Sequence, residues 1–198
     1  MKKLILILIT ILPLLGFAQK GDHFSELIKV EVNGLDSTSE YPIQSDTLNK
    51  TFAYLDNNFS ILFKPKTNMF GLELTNKTSN TVKIIWDDAA YVDFEGVTHK
   101  IYHSNIKFSD VATPQAPTSV MKLAKIVEII APINKLSYTT SLGWIQSDLF
   151  RSPQYQSNPP RKLGTLRFLI PIIIDNKKYE YVFYFDANWR NKTKKKKS

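Results

Sequence analysis

The stretch 166–185 limits the fold more than any other part of this 198-residue chain. Leu166, Phe168, Ile170, Ile172 and Ile174 occupy every second position. Asp175-Asn176 follows, and Tyr179, Tyr181, Phe183 and Phe185 resume the alternation. A period of two puts each set on one face of an extended strand, and an Asp-Asn pair between them predicts a tight hairpin turn. Pro171 has no N–H to give to a ladder, so it predicts an edge strand or a bulge there.

The same period recurs along the chain. Ile28, Val30 and Val32 alternate with Lys29 and Glu31. Phe52 to Leu55 and Phe59 to Phe63 flank a turn at Asp56-Asn57-Asn58, which predicts a hairpin closed by Pro65. Phe70, Leu72 and Leu74 face one way, as do Val82, Ile84 and Trp86, and Asn76 to Asn80 between them reads as a hairpin loop. Ile126 to Ile130 is an apolar run ended by Pro132. Residues 33–50, 109–118 and 151–164 are polar or proline-rich and read as loops, with Trp144 to Phe150 a short helical turn or irregular chain. After residue 18 no window of twelve residues sustains helical apolar spacing. The pattern predicts an all-β fold: an antiparallel, immunoglobulin-like β-sandwich with Greek-key connections and little helix.

Chemistry concentrates at 86–103, where Asp87, Asp88, Asp93 and Glu95 lie near His99 and His103. Asp93, Glu95 and His99 are the candidate metal ligands, gathered by a turn. His99 and His103 cannot share an ion on one strand: four residues at ~3.3 Å per residue separate them by about 13 Å, against metal–ligand bonds of about 2 Å. Asp93 and Gly96 stand at the first and fourth positions of a β-turn. That gives them a structural reason to be there. On the same reading Trp86 is core with its indole N–H bonded, Asp87 or Asp88 caps local backbone, and the histidines are hydrogen-bonded at a sheet edge. Ser119-Val120-Met121-Lys122 matches S-x-x-K without its companion elements. The phosphate-binding glycine loop, G-x-S-x-G and H-E-x-x-H are missing, and with no cysteine there is no thiol nucleophile. The expectation is no catalytic residue and no cofactor.

The ends of the chain predict location. Lys2 and Lys3, the apolar run Leu4 to Leu15, and Gly16-Phe17-Ala18 have the three-part form of a secretory signal over residues 1–18. The run is short of the ~20 apolar residues that span a bilayer. Gln19 stands where a lipid-anchored envelope protein carries Cys. The chain is therefore expected to be exported, without a lipid anchor or a transmembrane segment, and either periplasmic, associated with the outer membrane or extracellular. The remainder divides into an N-terminal strand and polar linker (19–50), a β-sandwich domain (51–189) and a disordered basic tail (190–198).

Of the net charge of +8, two charges sit at Lys2 and Lys3, and six at Arg190, Lys192, Lys194, Lys195, Lys196 and Lys197. The body between is formally neutral. The basicity therefore points to an anionic surface met by the tail, where each basic residue contributes on the order of 1 kcal/mol, and not to nucleic acid. Asp36-Ser37-Thr38 and Asp46-Thr47-Leu48 are similar to an O-glycosylation signal used by one group of Gram-negative bacteria.

Glu73-Leu74-Thr75-Asn76-Lys77-Thr78, Ile84-Ile85-Trp86-Asp87, Tyr91-Val92-Asp93, Gly96, His99, Ile101, His103 and Pro114-Gln115-Ala116-Pro117-Thr118 resemble a group of uncharacterised exported bacterial envelope proteins, many of them lipoproteins. Gly164, the run to Pro171 and Tyr179 to Phe185 extend the resemblance over 50–190. It implies a β-sandwich in the cell envelope and supplies no activity. The leading expectation is a non-enzymatic binding or structural module whose partner is an anionic envelope surface or another envelope protein. Two others stand beside it: a metal-dependent or hydrolytic enzyme with a site near Asp87 to His103, and an accessory partner of a surface or secretion assembly. The mark of the last is an exposed apolar patch or an open strand edge.

Overall fold

The computed structural model describes residues 21–46, 48–149 and 162–191. Residues 1–18, expected as a signal, Thr47, residues 151–161 of the loop expected at 151–164, Lys192 and Lys194 to Lys197 lie outside the described residues, and 162–164 belong to a strand.

The fold is all-β and antiparallel, a sheet curled into a half-barrel. Its strands are β1 (Gly21–Val32), β2 (Leu35–Asp36), β3 (Gln44–Asp46), β4 (Thr51–Leu55), β5 (Phe59–Pro65), β6 (Phe70–Asn76), β7 (Val82–Ile84), β8 (Ala90–Val92), β9 (Thr98–His103), β10 (Thr118–Val120), β11 (Lys125–Pro132), β14 (Lys162–Ile174) and β15 (Lys177–Asn191). A separate hairpin joins β12 (Leu136–Thr139) to β13 (Gly143–Gln146). Along the large sheet the order is β2-β1-β15-β14-β8-β9-β11-β6-β5-β4-β3, with β7 bridging β14 and β10.

The hairpin of β14 and β15 forms about Asp175 and Asn176, both with positive φ. That is the turn whose twist matches paired strands. Alternation then sets the core. Leu166, Phe168, Ile170 and Ile172 from β14, and Tyr181, Phe183 and Phe185 from β15, are fully buried. They meet β5 and β6 edge-on: Phe63 lies 4.7 Å from Phe183 and 5.1 Å from Phe185, and Phe70 lies 4.8 Å from Phe168 and 4.9 Å from Phe185. Edge-to-face geometry suits the quadrupoles of such rings. Ring burial on this scale contributes about 1.5–3 kcal/mol per side chain.

Several local readings need correction. Asn76 to Asn80 is not a hairpin loop, because β6 pairs with β5 and β11 while β7 pairs with β10 and β14. The loop crosses between regions of the curl, held by the fully buried Asn76. Its amide donates to the carbonyls of Asn80, Val120 and Met121 at 2.8, 3.0 and 3.1 Å. Trp144 does not start a helical turn. It lies in β13, after the positive-φ Gly143, opposite Tyr138.

Pro171 is not on an edge, since β14 has β15 on one side and β8 and β7 on the other. The irregularity falls on the neighbour. Ile84 stands opposite Ile172 and Tyr91 opposite Phe168, so the chain from 84 to 91 carries three residues more than the β14 segment it covers. Ile85 N–H reaches the Pro171 carbonyl at 3.0 Å, but proline has no N–H to return. The Ile85 carbonyl accepts instead from Asp88 N–H at 3.3 Å, in a 3-10 turn over Trp86–Asp88.

β15 also runs through Asn191, with Arg190 opposite Asp22 of β1. Arg190, expected to begin the tail, is therefore in the sheet. β1 is longer than the Ile28–Val32 pattern and pairs with β15 from Gly21.

Candidate functional site

The 3-10 turn forced beside Pro171 turns Trp86 inward, where it is fully buried. Its indole N–H donates to Thr118 Oγ1 at 2.7 Å, and its face stacks on the His103 imidazole, with centroids 4.5 Å apart and planes 15° from parallel. Asp87 and Asp88 do not cap backbone. They are exposed and reach across to neighbouring strands, Asp87 to Lys100 at 3.3 Å and Asp88 to Lys178 at 2.9 Å. Exposed pairs of this kind contribute about 0–1 kcal/mol each.

The turn at 93–96 forms as the sequence predicts. Gly96 N–H bonds the Asp93 carbonyl at 3.0 Å, Gly96 has φ +86°, and Asp93 Oδ1 accepts from the N–H groups of Glu95 and Val97. Asp93 Oδ2 pairs with His99 Nε2 at 2.9 Å, and Asn134 approaches the same nitrogen at 3.2 Å. Burial pushes the Asp93 carboxyl up, but the bonds from His99, Val97 and Glu95 outweigh it and hold the group below the usual range. The structure thus joins Asp93 and His99, to which Glu95 adds its backbone N–H. Among the described residues no three His, Asp or Glu side chains converge as a metal site.

His103 lies elsewhere, in a cluster that the sequence reading missed. Glu128 of β11 is almost fully buried and accepts from Ser104 Oγ, from Asn105 Nδ2 at 2.7 Å and from His103 Nδ1 at 3.4 Å. Burial raises the Glu128 pKa, but the donors from His103 and Ser104 more than offset it, so the net shift is downward. Ser104 bonds the carboxylate and not the imidazole, so the order of a nucleophile–base–acid relay is absent here. A carboxylate held below its usual range is also a weak base. The cluster works as a clamp, tying the end of β9 to β11. The sequence did carry a signal for it. Glu128 has the parity of Ile126 and Ile130, and so faces inward within an apolar run.

Beside the clamp lies a surface groove of roughly 390 Å3, lined by Met69, Tyr102, Ser104, Ile106, Lys107, Phe108 and Ile129. It leads onto a strip of rings that starts at the buried Tyr102 and continues through the exposed Phe108, Trp144 and Tyr138. Tyr102 and Phe108 lie 5.4 Å apart, Phe108 and Trp144 6.0 Å, and Tyr138 and Trp144 5.4 Å. Trp144 is 42% exposed and Tyr138 61%. The rings stand at 59–81° to one another.

Of the two Asp-Ser/Thr tripeptides, Asp36-Ser37-Thr38 is engaged by the fold. Ser37 Oγ donates to the Val30 carbonyl and accepts from Tyr54 O–H. No family model, curated protein or solved structure matches the chain.

Proposed function

We propose that this protein is an exported, non-enzymatic contact module of a bacterial cell envelope. The observation that carries this reading is the exposed strip Phe108–Trp144–Tyr138 beside an open groove. Exposed aromatic residues gathered into one patch mark binding surfaces, because they bring large apolar area at low entropic cost. The signal-like N-terminus, the envelope-protein resemblance and the basic residues Lys192 and Lys194 to Lys197 support the envelope as the setting. The curled sheet is read as an immunoglobulin-like sandwich with Greek-key connections, which the facing aromatic rows of β5–β6 and β14–β15 support.

The test is co-sedimentation of the full chain with purified envelope fractions of its source cell. Replacing Phe108 and Trp144 together by alanine is expected to lower the bound fraction at least tenfold without moving the melting temperature by more than a few degrees. Unchanged binding would overturn the reading.

A further inference from the structure

β11 has one neighbour too few. Ile130, Ala131 and Pro132 stand opposite His103, Tyr102 and Ile101. The next rung would join Ile129 to Ser104, but β9 turns away there, and Ser104 Oγ takes the Ile129 N–H at 3.2 Å. From Ile129 back to Lys125 the strand pairs, among the described residues, with β6 alone. Ile129 points its N–H away from β6. Alternation then points the backbone N–H and C=O of Val127 and Lys125 the same way, toward the empty side.

Such edges are templates for a further strand, and proteins guard them with bulges, prolines or very short strands. β1, open along most of its other side, carries a bulge between Leu27 and Lys29 in its pairing with β15, and β2, β3 and β10 have two or three residues each. The register of Lys125–Ile130 on β6 is unbroken. Its side chains are apolar where a partner would lie: Val127 is 67% and Ile129 38% exposed. Ile129 also lines the groove. Lys122 lies three positions before the open segment, and Lys107 lines the groove that Ile129, at the segment's other end, also lines. Neither is paired with an acid among the described residues.

We infer that the Lys125–Ile129 edge of β11 receives an extended segment of a partner protein, apolar in its middle and acidic at both ends, as an added strand. Main-chain bonds to Val127 and Lys125 give the affinity. Apolar side chains of the segment cover Val127 and Ile129 and enter the groove, and its acids meet Lys107 and Lys122. This rests on the contact-module reading and names the partner's chemistry.

The probe is a synthetic ten-residue peptide of alternating valine and threonine with two aspartates at each end, beside a twin with lysines in their place. Both are added to the full chain, and amide hydrogen exchange is followed. The aspartate peptide is expected to slow exchange at Lys125 and Val127 at least tenfold, and the lysine twin to do so much less. Val127→Pro removes the edge donor while leaving the bonds of Ile126 and Glu128 to β6, and is expected to abolish the protection. Val127→Lys, which keeps the backbone, is expected to weaken binding at least tenfold and serves if the proline variant does not fold. Equal protection by both peptides, or none, overturns the inference. So does self-association that protects the same amides without peptide, which makes a second copy the occupant, or protection by phosphatidylglycerol vesicles in the peptide's place. If Phe108→Ala/Trp144→Ala loses envelope binding while Val127→Lys keeps it, the edge fails and the contact module stands. If neither variant changes it, both fail.

Discussion

Replacing Glu128 by glutamine tests the clamp that holds β9 to β11. The substitution keeps the shape and removes the charge. Glu128 accepts three side-chain donors in a site from which water is nearly excluded. Glutamine has one acceptor oxygen, and its amide group faces a donor. One or two charge-assisted bonds of about 1.5–3 kcal/mol are lost, so a net cost of about 2–4 kcal/mol follows. For a chain of this size that lowers the melting temperature by roughly 4–16 °C at pH 7. The pH dependence has a definite sign. The folded pKa of Glu128 lies below its ordinary value, so its stabilisation is present above the unfolded pKa of about 4.3 and is lost as pH falls through the folded pKa. Thermal unfolding, followed by far-UV circular dichroism and by tryptophan emission between pH 7 and pH 3, measures both effects. The wild-type protein loses stability below about pH 4.3, and Glu128→Gln loses less of it on acidification. A variant within 1 kcal/mol of wild type at pH 7, with a parallel pH profile, would refute the clamp.

Gly164 sits at φ +147°, where an added Cβ would lie 2.4 Å from Phe94 Cβ. Gly164→Ala is expected to cost about 1–3 kcal/mol in denaturant melts, with part of the loss returned in Gly164→Ala/Phe94→Gly; full additivity would contradict a direct clash. Asn76→Ala strips the donor from the Val120 and Met121 carbonyls and is expected to cost about 2–4 kcal/mol. A cost under 0.5 kcal/mol would show that water replaces it freely. Removing residues 192–198 is expected to abolish salt-sensitive binding to phosphatidylglycerol vesicles, each lysine contributing on the order of 1 kcal/mol; unchanged binding would dismiss the tail as a surface contact. Dialysis against chelator is expected to leave the melting temperature unmoved, and a fall of several degrees would revive a metal at Asp93 and His99.

Strands with a local partner and a clean period were legible in the sequence. The turns at Asp56–Asn58, Asp93–Gly96 and Asp175–Asn176 each carry their own chemistry in Asp, Asn or Gly side chains and backbone. What failed were decisions made by distant residues. Asn76 to Asn80 has hairpin length, but the donors of Asn76 are spent on Val120 and Met121, more than forty positions away. Pro171 predicts an edge or a bulge in its own strand, but its consequence appears on the neighbour as the turn that buries Trp86. The site was legible only in part. Asp93 and His99 are close in sequence and meet, whereas Glu128 joins His103 across 25 residues, and parity alone marked it. The ring strip was unreadable, because Tyr102, Phe108, Tyr138 and Trp144 come from four separate segments.

The central claim is that the protein acts by contact through the face carrying Trp144 and β11. A photoreactive amino acid placed at Trp144 in the full chain, expressed and irradiated in its native cell, tests this most directly, with Glu26 on β1 as the control position. The account predicts one discrete envelope-protein adduct from position 144 that Val127→Lys removes, and none from position 26. Equal adduct patterns from the two positions, or an adduct at 144 indifferent to Val127→Lys, would contradict it.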